Sequence, residues 1–141
     1  MNTSMQLARF TVAYWCVLVA ALLPTVCAWI AKRGALGKPA DQGGFDNSDP
    51  RGWLARQSDW RARANAAQAN SFEVLPFFIG AVIIAHQLGA RQTWLDLLAM
   101  LFVMLRIFYI MMYVSNMPTA RSAVWGAAFF VNIAILFVGY H

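Results

Sequence analysis

The sequence predicts an all-α integral membrane protein, a single domain over residues 1–141 built as a bundle of four transmembrane helices. Three observations lead there. Of the 141 residues 60% are hydrophobic and only 12% are charged, about half the charged share of a soluble domain. A chain this short has no interior large enough to hide so much apolar surface, and it is too apolar to stay solvated as a coil. Four segments reach the ~20 apolar residues that a bilayer crossing requires, and the basic residues gather in the connections on one side of them.

The first span, about residues 7–32, contains the uncharged run Phe10 to Ala31, preceded by Arg9 and followed by Lys32 and Arg33. That run outlasts the 7–15-residue core of a signal peptide, so a retained helix is expected. Cys16 and Cys27 fall within it. Eleven helical residues set them ~16 Å apart, too far for a disulfide. The second span, about 59–88, has Glu73 as the sole acid of Ala64 to Ala90; the third, about 92–116, has Asp96 near its start and beyond it is broken by Arg106 alone. The fourth, about 118–140, opens with Pro118, a residue favoured in a first helical turn. Pro24 and Pro76 lie inside spans one and two, where each removes a backbone hydrogen bond and bends its helix.

Between spans one and two, residues 33–58 form a long loop. Together with its flanks, Lys32 to Arg63 holds seven of the eleven basic residues and four of the six acids. Its glycines and prolines give turn chemistry, and Asn47-Ser48-Asp49-Pro50 reads as a tight turn or as the cap of a short helix starting near Arg51. The long loop and the third connection share one side and carry eight basic residues against Arg9 and Arg91 on the other. This asymmetry places the loop in the cytoplasm and both termini opposite, in a multi-pass protein of a bacterial inner membrane. Trp29, Trp53, Trp60 and Trp94 fall near span ends, where amphipathic rings favour the interface. The net charge of +5 is thus a matter of topology, and nucleic acid is not an expected partner.

Ionisable groups within the bilayer are costly and mark function. Glu73 lies ten residues beyond Arg63 and Arg106 ten before Asn116, so both sit ~15 Å deep from the loop side, and a structural ion pair between them is expected. At ~100° per residue, Arg56, Asp59, Arg63, Ala66, Asn70 and Glu73 form one stripe. Arg106, Tyr109, Tyr113 and Asn116 form another. The two stripes make a polar funnel that runs towards Arg121 and the Lys32-Arg33 pair. Such a funnel suits an anionic, water-soluble ligand meeting a lipophilic molecule from the membrane. Arg56, Arg61 and Arg63 are also placed to touch phospholipid headgroups, Asp96 to form an outer-edge charge near Arg91, and Asn132 to act as interhelical glue. The sequence contains no Cys/His metal cluster, no paired catalytic carboxylates and no phosphate-binding glycine loop, so no metal is expected. A small transporter with Glu73 as its coupling acid remains open on these residues, although the polar stripes open towards one side only.

Asn70, Glu73, Pro76 and Phe78 on span two resemble the second-helix signature of the MAPEG family, the membrane-associated proteins in eicosanoid and glutathione metabolism. Arg106, then Tyr113 seven residues later, then Arg121 opening span four, resembles the family's next helices, and Lys32-Arg33 resembles the basic pair that ends its first. The resemblance implies a homotrimer that holds glutathione as cosubstrate between subunits, near the cytoplasmic face. Among catalytic members the residue matching Arg121 stabilises the glutathione thiolate, which attacks a lipophilic electrophile. Asn70, Glu73 and Tyr113 match ligand-binding positions, and the match to Arg106 pairs with the glutamate.

Lys32, Arg33, Arg63 and Tyr109 complete the expected glutathione site. The pattern departs at Ala66, where glutathione-binding members carry an arginine; Arg63, almost one turn earlier, is the residue available to replace it. The implied function is a glutathione transferase or peroxidase. A non-catalytic, lipid-binding accessory protein of the same fold is the alternative, because membership in a fold does not establish chemistry.

Overall fold

The computed structural model describes residues 10–141. The part of the first span at residues 7–9, Arg9 included, lies outside the described residues. Its four long helices are α1 (Val12–Lys32), α3 (Asp59–Gln87), α4 (Gln92–Val114) and α5 (Pro118–Phe137), with a short α2 (Pro50–Ala55) and a 3-10 turn at Ala40–Gln42 in the loop between α1 and α3. All four long helices are long and apolar enough to cross a membrane. The chain is therefore a multi-pass, all-helical membrane bundle.

Local chemistry explains the boundaries. Thr11 caps α1 by accepting the Tyr14 N–H at 3.3 Å, and α1 runs out just before Gly34, whose φ of +77° suits glycine alone. Asp49 caps α2 through the Gly52 N–H at 3.1 Å, with Pro50 in the first turn, so the Asn47–Pro50 motif is a helix cap. Helices α3 and α4 both end in a Schellman closure. Gly89 (φ +73°) precedes an Ala90 N–H bonded to the Ala85 carbonyl at 3.0 Å, and Asn116 (φ +58°) precedes a Met117 N–H bonded to Met112 at 2.9 Å. The 29 residues of α3 extend ~43 Å, more than the ~30 Å hydrocarbon core. Its first turns, with Arg61 and Arg63, therefore stand clear of the hydrocarbon on the loop side.

The bundle closes on small residues. Ala13, Cys16 and Ala20 of α1, Ala81 and Ala85 of α3 and Ala99 of α4 are all buried in one core, which lets helices approach closely where lipid offers no hydrophobic drive. Phe78 and Phe102 fill its centre, stacked at 4.2 Å. Both cysteines are buried free thiols. The loop packs on the bundle end: Ala35, Trp53 and Leu54 cluster with Ala31 and Ala64, and Phe45 meets Trp53 edge-on at 5.2 Å. Trp53 is only 5% exposed; it anchors this cluster and does not face the membrane interface as its position near a span end suggested. Asp96 also departs from expectation. Its Oδ1 accepts the Ala13 N–H at 3.0 Å and Gln92 Nε2 at 2.6 Å, so it caps α1 from α4 instead of standing as an edge charge.

Candidate functional site

Helices α3, α4 and α5 line two adjoining open cavities that share Asn70 and Trp125. The outer one, about 260 Å³, is lined by Tyr109, Tyr113, Arg121 and Ser122 besides the shared pair. Arg121 sits in the first turn of α5, its N–H bonded to the Met117 carbonyl at 2.9 Å. The Arg121 guanidinium lies over the Tyr113 ring at 4.4 Å, and Tyr113 meets Tyr109 edge-on at 5.6 Å. These contacts fix a cation and two phenols around one polar space.

The inner cavity, about 200 Å³, is deeper and mostly apolar, with Phe77, Phe102, Phe129 and Ala128 in its wall. Trp125 and Phe129 stack at 5.4 Å with an interplanar angle of 6°. Its polar members are Asn70, Glu73, Arg106 and Asn132. Arg106 is 1% exposed. It donates from Nη2 to Asn70 Oδ1 at 2.8 Å and lies 4.0 Å from the Tyr109 ring centre. Asn70 in turn donates from Nδ2 to Glu73 Oε2 at 3.2 Å.

The expected direct pair of Glu73 and Arg106 is thus replaced by a relay. Among the described residues the one ion pair within 4.0 Å joins Arg56 and Asp49, at 3.5 Å on the surface. Asn70 stands between the two side chains and turns one face of its amide to each. Glu73 itself is exposed on the outside of the bundle.

Asn70, Glu73, Arg106, Tyr109, Tyr113 and Arg121 therefore line two adjoining cavities that have Asn70 and Trp125 in common. Three expected members are elsewhere, for none of them lines either cavity. Lys32 holds its Nζ over the Phe45 ring at 4.4 Å, and Arg33 is exposed at the end of α1. Arg63 donates Nε to the Val114 carbonyl at 3.1 Å. Arg61 likewise reaches the Ala31 carbonyl at 2.7 Å. Both arginines satisfy carbonyls at helix ends that lack intrahelical partners, where the sequence suggested lipid headgroups.

Sequence reasoning missed the wall from α5. Trp125, Ala128, Phe129 and Asn132 recur at i, i+3, i+4 and i+7, the mark of a single helical face, and that spacing was the available signal. Asn132 was expected to hold helices together; it is buried, and its Oδ1 has no hydrogen-bond partner among the described residues.

No curated protein and no solved structure matched the chain on comparison. A family model does match, that of the MAPEG family, over residues 12–140. That match runs from the first residue of α1 to beyond the end of α5, so the chain belongs to the MAPEG family, the membrane-associated proteins in eicosanoid and glutathione metabolism.

Proposed function

We propose that the protein is a membrane-bound glutathione transferase or peroxidase acting on hydrophobic electrophiles. The supporting observation is the outer cavity, where the Arg121 guanidinium rests over Tyr113 directly beside an aromatic inner cavity. Water-soluble thiol and lipophilic partner would meet across the Asn70–Trp125 boundary. A cation beside a thiol lowers its pKa and raises the thiolate fraction. The guanidinium does not give up its proton at working pH, so Arg121 acts by stabilising the sulfur anion. The thiol proton passes to water. The sulfur electron pair then bonds to the electrophilic carbon as the leaving group departs with its bonding pair, or to a peroxide oxygen as the O–O bond breaks, a second glutathione then displacing water to give the disulfide. Tyr109, Tyr113 and Asn70 hold the peptide.

The proposal includes a homotrimer, because the mid-span carboxylate of Glu73 faces outwards and an uncovered charge against lipid is costly. It also includes a bacterial inner membrane, with the basic loop in the cytoplasm and both termini opposite. Arg121→Ala should leave the bundle folded, abolish the thiolate absorbance seen with glutathione, and slow conjugation by ~10²-fold or more.

One observation favours the accessory, lipid-binding reading. Ala66 stands where glutathione-binding relatives carry arginine, and Arg63 is engaged with Val114. Absence of both thiolate band and conjugation in the unaltered protein at millimolar glutathione would select that reading.

A further inference from the structure

We infer that Arg63 is a positioning residue for Arg121, a strut from α3 that holds the α4–α5 corner on which the Arg121 guanidinium is carried. The corner runs from Val114, the last residue of α4, into the first turn of α5. Its Schellman closure uses two carbonyls: Met112 accepts the Met117 N–H at 2.9 Å, and Tyr113 accepts the Asn116 N–H at 3.1 Å. The Val114 carbonyl comes next. Pro118, four residues on, has no N–H to return to it. Arg63 supplies the donor instead, Nε to the Val114 carbonyl at 3.1 Å, across 51 residues of chain.

The path from that bond to the guanidinium is short. Tyr113, the residue before Val114, lies with its ring under the Arg121 guanidinium at 4.4 Å. The Arg121 N–H bonds to the Met117 carbonyl at 2.9 Å, within the same corner. Tyr113, Val114 and Val124 pack against one buried cluster that includes Ala67 of α3, one turn beyond Arg63. Both supports of the guanidinium, the ring and the backbone of its own turn, thus belong to the segment that Arg63 ties to α3. Asn70, two turns beyond Arg63 on that helix, lines both cavities, so the strut sets the α5 cation against the α3 wall.

Arg63 itself lines neither cavity. Its pattern in the sequence suggested a direct hold on glutathione in place of the arginine missing at Ala66; the bond to Val114 gives it another task. Misplacing a reacting group by ~1 Å can cost ~10²-fold in rate, so a side chain outside the site matters through the corner it holds. The inference rests on the proposed function for its chemistry and on the corner alone for its geometry.

Two variants test it in lipid nanodiscs. Arg63→Met keeps the length of the stem and removes the N–H. Arg63→Gln places an amide N–H at the same remove from the backbone and deletes the charge. In Arg63→Met, hydrogen exchange of the peptide over residues 112–121 should quicken by about three-fold or more, the scale of one interhelical bond in a membrane bundle. Its kcat for conjugation should fall by about ten-fold with KM changed by less than about two-fold, and the thiolate absorbance at saturating glutathione should weaken. Arg63→Gln should restore exchange, kcat and absorbance. In the Arg121→Ala background, Arg63→Met should cost no further rate, because its effect passes through the missing cation.

Unchanged exchange of the corner in Arg63→Met overturns the strut. A raised KM with intact kcat in Arg63→Gln places Arg63 on glutathione and overturns it too. A rate loss that adds in full to that of Arg121→Ala overturns action through Arg121. If the unaltered protein shows neither thiolate band nor conjugation, the enzyme reading falls by itself, and the exchange comparison still decides whether Arg63 holds the corner.

Discussion

The relay through Asn70 makes a prediction opposite to that of a direct ion pair. If Glu73 and Arg106 touched, removing the Glu73 charge would strand a buried cation, at a cost of ~3–5 kcal/mol. In the structure Glu73 accepts from the Asn70 amide, at 3.2 Å, while Arg106 donates to the Asn70 carbonyl, at 2.8 Å. Glu73→Gln keeps an oxygen that accepts from Asn70 Nδ2 and should cost less than about 1 kcal/mol, within the scale of one hydrogen bond in a membrane bundle. Asn70→Ala deletes an acceptor from a buried guanidinium that already has two nitrogens without partners.

Hydrogen bonds to charged groups contribute ~1.5–3 kcal/mol in soluble proteins, while interhelical bonds in membranes average ~0.6 and reach ~1.7. The overlap of these ranges sets Asn70→Ala at about 1.5–1.7 kcal/mol. The measurement is reversible unfolding in mixed micelles, for both single variants and the pair. Glu73→Gln should lose most of its small effect in the Asn70→Ala background, because the shared partner has gone. A larger loss from Glu73→Gln than from Asn70→Ala, persisting without Asn70, would refute the relay and restore the direct pair.

Three further outcomes follow from other parts of the molecule. Asp96→Leu removes the acceptor at the start of α1 and should destabilise the bundle by about 1 kcal/mol, whereas Asp96→Asn, which retains an oxygen, should cost clearly less in the same unfolding assay. In the loop, hydrogen bonds from the Ser48 hydroxyl and then its N–H hold the Asp46 carboxyl below its ordinary value. That contribution is present at neutral pH and fades as pH falls through the depressed folded-state pKa. Ser48→Ala should therefore move the Asp46 titration, followed by carbon NMR, to higher pH; no movement would remove Ser48 as the cause. Native mass spectrometry from mild detergent should show three copies, with Glu73 protected from carbodiimide labelling in that species; monomer alone, with Glu73 fully labelled, would refute the trimer.

The membrane fold was legible because hydrocarbon thickness imposes one length on every span, and Phe10–Ala31 or Ser122–His141 announces that length without interruption. Half of the site was legible for a related reason. Asn70 and Glu73, like Arg106, Tyr109 and Tyr113, are costly in lipid and fall on single helical faces, so phase alone collects them. The remainder depended on which helix ends come within reach of which side chains. Arg61 and Arg63 have the ordinary look of interfacial arginines, and nothing local shows that Ala31 and Val114 offer them carbonyls. Asp96 was opaque for the same reason, its partner lying 83 residues away. The departure between Glu73 and Arg106 is subtler. Depth along each helix was readable, but the lateral offset that admits the Asn70 amide between two charges is set by packing of α3 on α4.

The cap that Asp96 provides to α1 has a bearing on biogenesis. Ribosomes deliver α1 to the membrane first, and residue 96 emerges only after the loop, α2 and all of α3 have been made. Until then the Ala13 N–H has only water or lipid headgroups to meet, so nascent α1 is incompletely satisfied at its leading end. The bond from Ala13 to Asp96 at 3.0 Å joins the first helix to the third long one, and it closes only when α4 has entered the bilayer in the correct register. A chain stopped after α3 lacks that latch, and the start of α1 is held less firmly until α4 is in place.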